Sequence, residues 1–465
     1  MPEAGAARPA ATGGQQTFAN LFRMPVPTGP GHGLILCRAA SEAFLRQDQA
    51  WHAHGLHSHF SDMQTPWSPY VWVCFSMCVG VMGTALASPL YPLYQQAWSL
   101  LPSHITQVFV AYMLGALTSL LFLGRLTDRF GFVRVLRQGL MLMTAGVLIS
   151  ALAWNLPSFA LGRIIIGLAS GLITTSASVG MTRLNNQGDL QRAAATTSLT
   201  IAFGFGLGPV VGGLAAQWLP RPLITAYLPS IALGLISIRA LSKVHIPEPV
   251  THLPMTAKPL HWRDFMPTLT LPEARFARHF ALGGMCAFSA FGMFSLFASL
   301  APSFMQRMLP WHGPAVSGLS IGVILFLSAG VQYLARPRPS KAAAIMGFAC
   351  LAACNLLLLI NNFVGSAWLF ALSVMTTAAG HGLCNLAGMS IVNKVSTPAS
   401  RTGLLSTYLI VGYLGTIVPI LGLGWLSDHI GLTRALTAYC CVMGLLCTWL
   451  CWQCTRTRAL PMPAQ

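Results

Sequence analysis

Two ionisable side chains, Arg163 and His381, stand inside long apolar runs where charge is expensive, and ionisable groups so placed mark transport or proton chemistry. His381 lies midway along its run, and an unperturbed imidazole changes charge near pH 6.5, which suits proton exchange. Beside Gly380, Gly382 and Asn385 it reads equally well as a neutral hydrogen-bonding group. Arg163 is the one charged residue deep within a run. An arginine at a helix centre costs about 2.5 to 3.5 kcal/mol, so it should face water, unless it snorkels from a position near the helix end. All ten acids, Asp128, Asp189 and Asp428 among them, fall in the amino-terminal tail, loops or helix ends. No carboxylate is left for the middle of a run, which argues against strong selection for cations.

The elements that position these side chains are twelve apolar stretches, at roughly 70–94, 105–124, 137–155, 157–183, 194–218, 223–242, 276–301, 313–335, 342–361, 365–392, 402–426 and 433–453. Each matches the roughly 20 residues that a helix needs to cross the hydrocarbon core, and they are too long and too continuously apolar for barrel strands. Composition agrees: 54% of residues are hydrophobic and 8% charged, against about 25% charged in soluble domains. An all-α membrane protein follows. The net charge of +17 would suggest nucleic acid in a soluble domain, but here Lys and Arg fall in alternate loops. Only Arg221, Arg307 and Arg434 sit on the other side. The excess therefore sets orientation in a cell (inner or plasma) membrane, with both termini cytoplasmic, and no nucleic-acid partner is expected.

Six runs precede and six follow a proline-rich connector, giving bundles at 70–242 and 276–453 and a cytoplasmic linker at 243–275. The halves repeat: Pro92 and Pro302, Pro209 and Pro419, and Gly212 and Gly422 share one offset, and Thr225-Ala226-Tyr227 returns as Thr437-Ala438-Tyr439. A duplicated unit whose halves rock about a central site is the expectation. Residues 1–69 read as a cytoplasmic tail without the apolar core of a signal peptide; with Met63 just before the first run, it is either dispensable or a misassigned start. Its His52, His54, His57 and His59 lack neighbouring Cys or carboxylate ligands and a folded frame, so no metal site is expected. Residues 454–465 form a second tail.

After the second run comes Gly124-Arg125-Leu126-Thr127-Asp128-Arg129-Phe130-Gly131-Phe132-Val133-Arg134. It resembles the GxxxD(R/K)xGxx(R/K) signature of the major facilitator superfamily, found there in the cytoplasmic loop between helices two and three. Gly124 would allow another helix close, and Asp128 would meet the positive end of helix eleven. Arg129 and Arg134 would join Asp189 in a charge cluster that latches the outward-open state; the bland alternative is a solvated aspartate with arginines that only fix topology. Gly424, Asp428, Gly431 and Arg434 repeat the spacing on the opposite side, and there read as a turn and helix cap.

In the fifth run, Gly204, Gly208, Pro209, Gly212 and Gly213 resemble the superfamily's GxxxGPxxGG motif of exchangers, particularly twelve-helix drug:proton antiporters; the same residues also make a packing seam. Arg163, followed by Gly167 and Gly171, resembles the fourth-helix motif whose arginine lines the cavity and is implicated in proton transfer or anion binding. The resemblance implies a cavity lined by helices one, four, seven and ten. Tyr91, Thr175, Ser289, Phe291, Phe294, Thr377 and Asn385 are then the substrate candidates beside Arg163 and His381. Phe288, Phe291, Phe294 and Phe297 recur every three residues, on a face suited to an apolar substrate or to helix and lipid contact.

What the resemblance implies is a secondary transporter, not an enzyme, working as a monomer. Its activity would be proton-coupled efflux of a small amphipathic compound such as a drug, toxin or siderophore-like metabolite. The alternative is proton symport or facilitated uptake of a sugar, carboxylate or similar nutrient. No cofactor is expected, the transmembrane proton gradient being the energy source. No P-loop is present to seat ATP, and the cysteines, including the pairs Cys74/Cys78 and Cys350/Cys354, read as small packing residues.

Overall fold

The computed structural model describes residues 68–457 apart from 125, 186–189, 244–268, 312 and 398–399, and gives the backbone alone at 128, 190–192, 306–308 and 402. The His52 to His59 tract, most of the linker, Asp189 and residues 458–465 lie outside the described residues. Among those described, twelve helices are long and apolar enough to cross a membrane. These are α1 (Pro69–Trp98), α2 (Pro102–Leu123), α3 (Phe132–Ala151), α4 (Leu156–Arg183), α5 (Ala193–Trp218), α6 (Pro222–Lys243), α7 (Ala274–Ser299), α8 (Pro314–Leu334), α9 (Ser340–Val364), α10 (Ala367–Val395), α11 (Gly403–Ile430) and α12 (Leu432–Arg456).

Local chemistry sets many of the boundaries. Proline occupies the first helical position at Pro69, Pro102 and Pro314, where its missing N–H costs nothing. Asn155 caps α4 by accepting the Ser158 N–H at 2.9 Å, and Gly365, with φ of 68°, ends α9 in the left-handed conformation that favours glycine. The helix α3 starts five residues before its apolar run because Arg134 and Arg137 interrupt hydrophobicity without interrupting the backbone. Hydropathy marks the lipid-facing length, and helices continue past it.

The two halves share details beyond the count of spans. In the first, α1 breaks through a tight turn at Ser88–Leu90 and resumes at Tyr91–Trp98; in the second, α7 is followed by a short helix, Ala301–Met308. Each restart carries its matched proline, Pro92 or Pro302. The matched tyrosines tie the last helix of each half to the first: Tyr227 and Tyr94 share a hydroxyl hydrogen bond of 3.0 Å, and Tyr439 donates to the Gly292 carbonyl at 2.9 Å. Within the halves α1 packs on α5 and α3 on α4, as α7 does on α11 and α9 on α10; the halves meet through α5 against α8 and α2 against α11.

Candidate functional site: a central cavity between the halves

A cavity of about 580 Å³ lies between the halves, lined by α2, α5, α7, α8, α10 and α11. Its wall is mostly aromatic and apolar, with Tyr112, Phe205, Phe291, Phe294, Tyr408 and Tyr413 contributing rings and Met113, Leu325 and Met389 filling between them. Four of the six contributing helices do so from the middle toward one end, the end that carries the arginine-rich loops: 198–205 of α5, 325–333 of α8, 381–389 of α10 and 408–416 of α11; α2 adds Tyr112 and Met113 from its middle, and Phe291 and Phe294 of α7 lie on the far side of that helix's midpoint. Arg336, just beyond α8, stands on the rim with its guanidinium 5.1 Å from the Tyr333 ring centre. At the opposite end the halves are in contact. Cβ atoms placed on Gly213 and Gly318 would collide with the carbonyls of Pro314 and Pro209, and Ser303 donates to Gln95 at 2.7 Å. The cavity is therefore open toward the basic end and shut at the other.

One polar strip crosses this wall. His381 Nδ1 lies 2.7 Å from Ser328 Oγ, its Nε2 lies 3.1 Å from Asn385 Nδ2, and Gln332 Nε2 donates to Ser328 Oγ at 3.4 Å. With the amide nitrogen donating to Nε2, the proton of a neutral imidazole sits on Nδ1 and is donated to the serine. A protonated ring would need the Asn385 amide turned to present its oxygen. The rings of Phe294 and Phe291 flank the imidazole, with centres 5.6 and 6.5 Å away. Among the described residues lining the cavity there is no carboxylate.

Arg163 is placed differently from expectation. It is 1% exposed and does not line this cavity. Its Nη1 donates to the Thr84 carbonyl at 2.8 Å, and its guanidinium lies 4.7 Å from the centre of the Tyr112 ring, whose side chain does reach the cavity. The cause is close helix packing: Gly115 of α2 meets α4 at Gly167 so tightly that a Cβ on either would strike backbone, and Tyr112, one turn from Gly115, closes over the arginine.

The chain matches the family model of the Major Facilitator Superfamily over residues 73–419. It belongs to that superfamily. A bacterial homologue of the human lysosomal transporter Spinster, solved in an inward-facing and occupied conformation, superposes with a TM-score of 0.67 at 14% identity, covering 86% of this chain and all of that one. The inward-open xylose transporter XylE from E. coli gives 0.64 at 14% identity over 84% and 96% of the two chains. Among curated relatives, the riboflavin transporter RibZ of Clostridioides difficile is 22% identical over 40% of this chain and 41% of its own length. Multidrug resistance protein 2 of Bacillus subtilis is 24% identical over 32% and 37%, and a triacylglyceride transporter of Mycolicibacterium hassiacum is 27% identical over 72% and 54%. The matched part thus spans between about a third and about half the length of these relatives. The likeness to the two solved structures shows the fold, twelve spans in two repeated halves.

Within this superfamily fold, four of the nine cavity candidates line the cavity: His381, Asn385, Phe291 and Phe294. The other five do not. Tyr91 is fully buried edge-on against Phe159, Ser289 is buried in α7, Thr377 is held by the Ser373 carbonyl and Cys354, and the Thr175 hydroxyl donates to the carbonyls of Gly171 and Leu172 in its own helix. The expected lining by helices one and four is corrected with them, since α1 and α4 contribute nothing to this cavity and α2, α5, α8 and α11 do. Missed by sequence reasoning were Tyr112, Ser328, Gln332, Tyr408 and Tyr413. A signal existed for α8: Ser328, Gln332 and Arg336 stand four residues apart, a polar stripe on an apolar helix.

The α5 motif has two working faces. Gly204, Gly208 and Gly212 meet α1, where a Cβ on each would strike the carbonyls of Cys78, Met82 and Leu86; Pro209 and Gly213 face α8. In the loop after α2, Asp128 lies on a short helix, Leu126–Phe130, its side chain outside the description. Arg129 and Arg134 are exposed, and Gly131 joins that helix to α3 with φ of 81°. Gly124 closes a π-helical turn, Ser119–Leu123. Among the described residues a Cβ there would meet only the Leu120 carbonyl of its own helix, at 3.4 Å, so the expected close helix approach is not made here.

Proposed function

We propose that the chain exports a small amphipathic compound, such as a drug, toxin or siderophore-like metabolite, in exchange for protons. The observation that carries this reading is the cavity wall, in which aromatic rings surround a connected strip of hydrogen-bonding groups, Ser328, His381, Asn385 and Gln332. Such a wall offers an apolar body its burial energy and a polar end its partners, with no carboxylate to select a cation. The α5 motif and the names of two relatives, Multidrug resistance protein 2 and the quinolone resistance protein NorA of Staphylococcus aureus, support export. We place the basic end and both termini in the cytoplasm, so the described cavity receives its substrate from inside.

In this reading His381 carries the proton, trading its bond to Asn385 between the neutral and charged ring. Arg163 acts from behind Tyr112, fixing the ring that forms part of the wall. Asp128, Arg129 and Arg134, with Asp189, hold the cytoplasmic end when it closes, and the chain works as a monomer. One charge crossing 100 mV supplies about 2.3 kcal/mol, enough for a gradient of roughly 50-fold in a neutral solute. A second reading, uptake of a nutrient by symport or facilitated diffusion, is favoured by Arg336 on the rim of an acid-free cavity, which suits a carboxylate, and by the riboflavin relative.

The test is transport in proteoliposomes with a panel of labelled compounds. Export predicts accumulation of aromatic amphipaths driven by an imposed pH gradient and abolished by a protonophore. Accumulation that survives collapse of the gradient removes proton coupling. Counterflow of sugars or small carboxylates, with none of the amphipaths, selects the second reading.

A further inference from the structure

The loop between α11 and α12 carries the spacing of the loop after α2, with Gly424, Asp428, Gly431 and Arg434 in place of Gly124, Asp128, Gly131 and Arg134. The backbones agree as well as the letters. Gly131 has φ 81° and ψ 147°, Gly431 has φ 85° and ψ 153°, and each is the hinge between two helices. The two loops sit at opposite ends of the bundle, and their states differ. At the basic end, a Cβ on Gly124 would meet no other helix within 4 Å among the described residues. At the other end Gly424 is in tight contact with α2: a Cβ there would strike Thr106 Oγ1 and lie 3.1 Å from the Ser103 Cα. Asp428, one turn on, accepts the backbone N–H of Ser103 at 3.2 Å. Ser103 is the second residue of α2, so its N–H has no partner within its own helix, and a carboxylate at this position also meets the positive end of the helix dipole. The loop does form a cap, as its residues suggest, but the helix it caps belongs to the other half of the molecule.

We infer that Gly424 and Asp428 form a second latch, the counterpart of the 124–134 loop, which holds the arginine-poor end shut while the cavity is open at the basic end. The contact differs between the two states. When the halves rock to open that end, α2 and α11 separate there, and both the Ser103 N–H and the Asp428 carboxylate pass to water. The bond then exists in one state only, and an interaction made in one state alone biases the equilibrium toward it. Asp428 acts through the position of α2, not on the substrate. The glycine is needed because only a bare Cα lets the carboxylate reach the first turn of α2.

The inference rests on the reading of the chain as an alternating-access transporter, and the experiment separates the two. Full-length protein in lipid nanodiscs is followed by hydrogen exchange, with peptides covering 99–108 and 424–434 reporting one end and peptides covering 330–341 and 386–396 the other. Asp428→Asn, which keeps the shape and loses the charge, and Asp428→Ala should speed exchange at the first pair and slow it at the second. The ratio of states should shift about five- to tenfold in Asp428→Ala, which removes the acceptor, and about two- to fivefold in Asp428→Asn, whose amide oxygen can still accept and which loses only the charge at the helix end. Gly424→Val should act in the same direction by wedging α11 from α2. Faster exchange at 99–108 with no change at 330–341 and 386–396 would mean a local cap only and would overturn the latch. Gly318→Ala wedges the same end through the Pro209 carbonyl, without touching Asp428. If it moves the distant peptides while the Asp428 variants do not, the latch is wrong and alternating access stands; if neither moves them, both fall.

Discussion

At the scale of single residues, the two intramembrane ionisable groups separate into different kinds of work. His381 has both ring nitrogens engaged by neutral partners on the cavity wall. Glutamine in its place keeps donors and acceptors but carries no proton. We expect His381→Gln to lower gradient-driven transport by about tenfold or more, the scale of removing a positioned proton-transfer group, while counterflow at equal pH persists. Loss of both in the folded variant would make the histidine a substrate contact only. Arg163 makes a charged hydrogen bond and a desolvated cation–π contact, at 1% exposure. Arg163→Ala should therefore destabilise by about 2 to 4 kcal/mol, read as a lower midpoint of thermal unfolding, and Arg163→Lys by less. Its importance was legible in the sequence, because a lone charge in an apolar run must be accommodated. Its solution was not: nothing in the letters says that a backbone carbonyl 79 residues away, in α1, and a ring from α2 would serve in place of water.

At the scale of elements, the sequence was most informative where lipid imposes a rule and least where helices choose neighbours. The twelve helical spans follow from the need to satisfy backbone groups within hydrocarbon, and the duplicated halves from residues matched at one offset: Pro92 with Pro302 and Tyr227 with Tyr439 occupy equivalent places in the two halves. Which helices line the cavity depends on tilt and on which pair of ends is closed, and spacing carries neither; hence α2, α5, α8 and α11 were overlooked. Glycines show the limit well. Gly212 and Gly422 are partners in the repeat, yet a Cβ on Gly212 would strike the Leu86 carbonyl and one on Gly422 would meet nothing within 4 Å among the described residues. Gly212→Ala should lower the thermal midpoint by forcing α5 from α1. Gly422→Ala should leave it unchanged or raise it, since alanine favours a helix by about 1 kcal/mol over glycine. Equal effects in thermal unfolding would mean that the repeat, and not the contact, decides.

At the scale of the whole molecule, transport requires that the two halves part where they now touch. The seam between α5 and α8 and the contact of α2 with α11 close one end, and between them Gln95 of α1 accepts a hydrogen bond from Ser303 in the helix that follows α7, at 2.7 Å. This pair bridges the halves without lining the cavity, so joining it covalently blocks motion and leaves the binding wall intact. With cysteine at both positions, a short bis-methanethiosulfonate, which joins the two thiols through disulfides with loss of sulfinate, should stop net transport, and reductant, by cleaving those disulfides, should restore it; each single variant and the unaltered chain, treated alike, should keep their activity. Substrate should still bind from the basic end, because the rings of Phe291 and Phe294 and the strip from Ser328 to Asn385 remain open to that side. Full transport by the cross-linked protein would show that this end never opens, and the cavity would then have to communicate with the second compartment by a route between helices rather than between halves.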